Sequence, residues 1–187
     1  MKLSLPQQSP LRSPDFIYGV ATASFQIEGG RQDRLDCIWD TFCATPGKIA
    51  DRSTGDVACD HYNRWQEDIE LIEGLNVDAY RFSVSWPRVM HEDGSLNQEG
   101  VDYYIALLDR LLAKNIKPFV TLYHWDLPQH LEDKGGWLNR KTAFHFQHYA
   151  DLISKAFGTR VHSYATLNEP FCSAFLGYEA GIHAPGI

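Results

Sequence analysis

Four times along the chain a short run rich in β-branched and aromatic residues gives way to a stretch whose apolar residues recur at helical spacing. That alternation is the pattern of a parallel sheet with crossover helices. The strand-like runs are Phe16 to Ala23, Val77 to Ser85, Lys117 to Tyr123 and Val161 to Leu167. Between the first two, turn signals at Pro46-Gly47 and Ser53 to Gly55 precede a helix predicted over His61 to Leu75, with Tyr62, Trp65, Ile69 and Ile72 at its spacing. Asn97 opens a second helix, with Val101, Tyr104, Ile105, Leu108 and Leu112 on one face. A third starts near Asn139, carries Ala143, Phe146, Ala150, Ile153 and Phe157 on one stripe, and ends at Gly158. Pro170 suits the first turn of a fourth.

With no repeat, low-complexity segment or linker to divide it, one α/β domain is expected over residues 15 to 187, preceded by a Pro- and Ser-rich tail over residues 1 to 14. Four βα units fit either an open doubly wound sheet or half of an eight-stranded barrel, and periodicity does not separate them. The second strand leans toward the barrel. Tyr80, Phe82, Val84 and Trp86 share one face, whereas Ala79, Arg81, Ser83 and Ser85 share the other, which is too polar for a strand buried in helices on both sides.

The chain has 44% hydrophobic residues, enough for a sizeable core, and 17 Lys and Arg against 24 Asp and Glu give a net charge of -7. With no basic run, nucleic acid and anionic membrane surfaces are poor partners, and a neutral or small ligand is expected. No segment approaches the ~20 apolar residues of a membrane span, and Pro6, Pro10 and Pro14 interrupt any apolar signal core, so a cytoplasmic location is expected. Cys37, Cys43, Cys59 and Cys172 lack C-x-x-C spacing and read as inert thiols.

Polar residues collect where the strands end, which is where ligands bind in either parallel architecture. Gln26 and Glu28 follow the first strand, Arg81 lies within the second, His124, Trp125 and Asp126 follow the third, and Asn168 and Glu169 follow the fourth. Each alone has an ordinary reading as a helix cap, a buried counter-charge or core; their shared position points to one pocket. His124, Asp126 and His130 are of metal-ligating type, but Pro128 interrupts a helix that could present all three. Phosphate-cradling glycine motifs are missing and Gly29-Gly30 reads as a turn, so neither metal nor cofactor is expected.

Thr166-Leu167-Asn168-Glu169-Pro170 resembles the acid/base motif of family 1 glycoside hydrolases, the β-glucosidase-like enzymes. The run from Phe16 through Gln26 and Glu28 to Gly29 resembles that family's N-terminal signature, and Arg81 to Arg88, Thr121 to Pro128, Gly135-Gly136-Trp137 and His183 to Gly186 also match. The resemblance implies the N-terminal half, the first four βα units, of a (β/α)8 TIM barrel that hydrolyses terminal nonreducing β-D-glycosyl residues with retention. It implies Glu169 as the general acid/base, Asn168 as the partner of the sugar 2-hydroxyl, and Gln26 and His124 as partners of the sugar's other hydroxyls, with Trp125 beside them. Arg81 would orient the nucleophilic carboxylate, and Tyr164 stands where many relatives carry tryptophan.

The family's nucleophile motif, a Glu followed by Asn-Gly, is absent, and no other acid stands in: Glu179 lies further along the helix after Glu169, while Glu92, Asp93 and Asp133 belong to loops. Retention needs two carboxylates about 5–5.5 Å apart. The expected partners are therefore a β-glycoside or oligosaccharide and a C-terminal half-barrel carrying the nucleophile. A noncatalytic sugar-binding or structural half-barrel that self-associates stays open as the alternative; the motifs disfavour an open-sheet enzyme of another class.

Overall fold

The computed structural model describes residues 5–187; Met1 to Ser4, the start of the expected tail, lie outside the described residues. Four parallel strands form one sheet: β1 (Gly19–Ala21), β2 (Ala79–Ser83), β3 (Lys117–Tyr123) and β4 (Ser163–Leu167). Their order is β1-β2-β3-β4, each strand beside its predecessor in sequence. A doubly wound sheet reverses its order at a switch point, so unbroken succession is the arc of a barrel wall. The register runs from Gly19 opposite Ala79, through Arg81 opposite Phe119, to Thr121 opposite Ala165.

Short helices α1 (Ser24–Ile27) and α2 (Ile38–Ala44) follow β1, and α3 (His61–Gly74) leads back to β2. After β2 come α4 (Trp86–Val89) and α5 (Gln98–Ala113); after β3, α6 (Gln129–Glu132) and α7 (Arg140–Phe157). Asn139 caps α7, its side chain accepting the Lys141 N–H, and Gly158 ends it with φ 58°. Beyond β4, Pro170 opens a helical turn that continues as a π-helix over Cys172–Gly177. No helix among the described residues is long and apolar enough to cross a membrane.

The core lies between the sheet's outer face and α5 and α7. Tyr80 and Phe82 project outward from β2, and the Phe82 ring lies parallel to that of Tyr104 on α5. Trp86 stacks on Tyr149 of α7, whose hydroxyl donates to the Leu122 carbonyl at 2.8 Å. Burying each such side chain contributes about 1.5–3 kcal/mol relative to exposure. The opposite face of β2 carries Arg81 and Ser83 into the barrel interior, as the alternation of polar and apolar residues predicts.

Three of the four expected strands are shorter than predicted, the second ending at Ser83 rather than Ser85. The first strand is three residues long rather than Phe16 to Ala23, although Thr22 N–H still reaches the Arg81 carbonyl at 2.9 Å. The second and fourth begin at Ala79 and Ser163, because Asn76 adopts φ 55° and Gly158–Arg160 forms a 3-10 turn. On α5 the buried stripe is Val101, Tyr104, Leu107, Leu108 and Leu111, while Leu112 is 44% exposed. In the leucine-rich run two neighbouring stripes are both apolar, and packing against the sheet selects one. Among the described residues β1 pairs only with β2 and β4 only with β3, and every residue of β4 is exposed.

Candidate active site

The loops after the strands bring the expected residues together at one end of the arc. Gln26, exposed on α1, and His124 and Trp125, after β3, line a cavity of about 400 Å³ completed by Phe25, Trp39 and His183. That volume suits a small organic ligand. The walls are aromatic: Trp125 lies against His124 and His183, and Trp39 against Phe25 and His183. Such faces pack on the C–H faces of a sugar while the polar groups meet its hydroxyls.

Arg81 and Asn168 do not line this cavity but are joined to it through the contact of Asn168 with His124, and Glu169 follows Asn168 in sequence. Arg81 donates from Nε to Thr121 Oγ1 at 2.9 Å and from a terminal nitrogen to Asn168 Oδ1 at 2.7 Å. With Oδ1 so held, the Asn168 amide nitrogen faces His124 Nε2 at 3.1 Å. The Asn168 carbonyl accepts from Trp125 Nε1 at 2.9 Å. Among the described residues Arg81 has no carboxylate partner.

Glu169 is exposed at the end of β4 in a left-handed conformation, φ 41°, and Oε2 lies 3.2 Å from the Cys172 thiol. Trp125 is also left-handed, φ 79°. Both are non-glycine residues in a region that costs of order 1–3 kcal/mol, and both occur where the site requires a sharp departure from the strand. Burial, followed by the Arg81 charge, lowers the His124 pKa to about 4, with Glu169 acting in the opposite direction. The imidazole is thus neutral at ordinary pH, as an acceptor for Asn168 must be.

Two strand-end acids do not face the cavity. Glu28 turns into the core, where Arg88, fully buried, donates from Nε at 2.9 Å and the Tyr104 hydroxyl donates to the other oxygen. The Arg88 guanidinium also lies 3.8 Å from the Tyr62 ring centroid. Asp126 is buried as well, accepting from the Ser24 hydroxyl at 2.8 Å, and burial raises its pKa to about 6. No group of three or more His, Cys, Asp or Glu among the described residues is arranged to hold a metal. Trp39 and Thr121 escaped the sequence reading. Trp39 gave no strand-end signal, and Thr121 could have been found from its cross-strand neighbourhood with Arg81 on the lumen face.

An aromatic cavity at the strand ends of a barrel arc lies where parallel α/β barrels bind small ligands. The description "Glycosyl hydrolase family 1" matches residues 8–187, and the chain belongs to that family. It is 54% identical over 175 residues to β-glucosidase A of Thermotoga maritima, an alignment covering 92% of this chain and 39% of that protein. The β-glucosidase of Agrobacterium sp. is 50% identical, with 92% and 38% covered. The chain thus spans about two-fifths of the length of these curated relatives. The Thermotoga maritima β-glucosidase solved with deoxynojirimycin superposes with a TM-score of 0.89 at 54% identity, covering 92% of this chain and 40% of that one. The family 1 β-glucosidase of Exiguobacterium antarcticum gives 0.91 at 48% identity, with 93% and 40% covered. The fold is accordingly the first four βα units of a TIM barrel, as expected from the motifs.

Proposed function

We propose that this chain forms the acid/base half of a retaining β-glycosidase acting on terminal nonreducing β-D-glucosyl residues, in a barrel completed by four further βα units bearing the nucleophile. The observation that supports the reading is the Arg81–Asn168–His124 hydrogen-bonded row, which runs to the cavity wall at His124 and ends at the residue next to Glu169 in sequence. Gln26 and His124 bind the hydroxyls of the nonreducing sugar, Trp125 packs on its face, and Asn168 holds the 2-hydroxyl. Arg81, without a carboxylate of its own here, orients the nucleophile.

In the first step the nucleophilic carboxylate attacks the anomeric carbon while Glu169 gives its proton to the glycosidic oxygen, and the aglycone leaves as an alcohol. In the second, Glu169 takes a proton from water as the water oxygen attacks the same carbon, releasing the sugar and the free nucleophile. Among the described residues β4 and the side of β1 away from β2 present unpaired backbone groups, to which the further βα units of this reading would pair.

The test is Glu169→Ala in the complete barrel. Hydrolysis should collapse for glycosides with poor leaving groups, survive better for activated aryl glycosides, and be partly rescued by azide. Equal losses on both substrates with no azide effect would remove Glu169 from the acid/base role.

A further inference from the structure

Asp126 is next to Trp125 in sequence yet is hidden from the cavity, at 1% exposure, so it cannot touch a sugar. Its surroundings form a directed chain of hydrogen bonds. Ser24 N–H donates to Ser83 Oγ at 2.8 Å, the Ser83 hydroxyl donates to Ser24 Oγ at 3.0 Å, and the Ser24 hydroxyl donates to Asp126 Oδ2 at 2.8 Å. Every proton in that chain points toward the carboxylate, which can only accept. The three residues come from the ends of three successive strands, β1, β2 and β3.

Their neighbours give the arrangement its meaning. Ser24 opens α1, whose Gln26 is exposed into the cavity two residues later; Asp126 closes the His124-Trp125 turn. Backbone bonds beyond Asp126, Ile38 N–H to the Leu127 carbonyl and Gln129 N–H to the Asp36 carbonyl, fix the far side of that turn to the segment bearing Trp39. On its near side, the Ser24–Asp126 bond ties the turn directly to α1.

We propose that Asp126 is a positioning residue of the sugar subsite, acting through the Ser24 hydroxyl to hold Gln26 in register with His124 and Trp125. The inference rests on the glycosidase reading and names a residue that reading does not use. A carboxylate kept out of water with one side-chain partner, its other oxygen unpaired among the described residues, is costly to the fold. Apolar packing would serve stability as well, whereas alignment of two loops requires a directional bond.

The experiment measures KM for an aryl β-glucoside and Ki for deoxynojirimycin in the complete barrel, beside thermal melts, for Ser24→Ala, Asp126→Ala, the double variant and Asp126→Asn. Both single alanine variants should raise KM and Ki by about 10- to 100-fold, the effect of loosening a binding constellation. The double variant should lose no more than either single one, because both remove the same bond. Asp126→Asn, whose amide oxygen accepts the same hydroxyl, should stay close to the unmodified Ki. If Asp126→Ala fails to fold, Ser24→Ala carries the test. An active unmodified barrel in which Ser24→Ala leaves Ki unchanged and only lowers the melting temperature would overturn the inference and spare the glycosidase reading. An unmodified barrel without β-glucosidase activity would overturn that reading and the inference with it.

Discussion

The side-chain amide of Asn168 stands 3.1 Å from Nε2 of His124, bridging the ends of β4 and β3. Because Arg81 occupies the amide oxygen, the amide must donate to the imidazole, and His124 carries its proton on Nδ1. Three residue types that the motifs present separately therefore act as one unit.

Asn168→Asp reverses the polarity of that unit. A carboxylate satisfies Arg81 and accepts from an imidazolium, so the His124 pKa should climb from about 4 toward its ordinary value. Following the ring protons by NMR across pH 3 to 8 checks the direction. Loss of the oriented donor should lower kcat/KM by about 10- to 100-fold, the worth of a hydrogen bond involving a charged group.

His124 also sets a pH dependence of stability. Its folded pKa of about 4 lies below the unfolded 6.5, so between these values the unfolded chain binds the proton and the folded one does not. The stability contributed is complete above pH 6.5 and lost as pH falls toward 4. Asp126 opposes it: raised from 3.8 to about 6, its contribution is complete below 3.8 and lost as pH rises through 6. Melting temperatures of His124→Gln should therefore fall less than those of the unmodified barrel between pH 7 and 4. Those of Asp126→Asn should fall more steeply. Parallel curves for all three would contradict both assignments.

The two arginines of the β2 region should fail in different ways. Arg88→Met strands the buried Glu28 carboxylate and should cost about 3–5 kcal/mol of stability, with turnover preserved well below the melting temperature. Arg81→Met removes a half-buried lumen cation bound to Thr121 and Asn168, and should abolish turnover with a smaller change in melting. Thermal melts beside initial rates separate the two.

Gly100 offers a test in which helix propensity and packing disagree. Alanine is favoured over glycine in a helix by about 0.8–1.0 kcal/mol, but here its Cβ would lie 2.2 Å from the Arg88 carbonyl oxygen. Overpacking of this kind costs about 1–3 kcal/mol, so Gly100→Ala should destabilise. A raised melting temperature would show that α5 can move away from α4.

How far the sequence could be read varies with the kind of information each residue carries. The third strand, Lys117–Tyr123, is legible to the residue because its run of β-branched and aromatic residues coincides with the ladder. The first is not: Phe16 to Tyr18 have strand composition, yet the ladder starts at Gly19, and only the neighbour's register decides that. At the site, strand-end position and motif brought out Gln26, Arg81, His124, Trp125, Asn168 and Glu169. The same criterion admitted Glu28 and Asp126, which the fold turns inward, because distance along a loop does not say to which side a carboxylate swings. What draws the two carboxylates inward is a buried partner remote in sequence: Arg88 for Glu28 and Ser24 for Asp126.

Left-handed backbone at Trp125 and Glu169 has a bearing on how such a protein drifts under selection. Glycine adopts that conformation without the steric penalty a Cβ brings, so about 1–2 kcal/mol is released by Glu169→Gly at an exposed side chain, whereas Trp125→Gly forfeits more in ring packing and in the bond to the Asn168 carbonyl. Selection for heat tolerance alone would thus reward erasing the Glu169 carboxylate among its earliest steps, while the Trp125 indole is retained by its own contacts. A thermostability campaign meant to keep the proposed acid/base should therefore shield the Glu169 codon from randomisation.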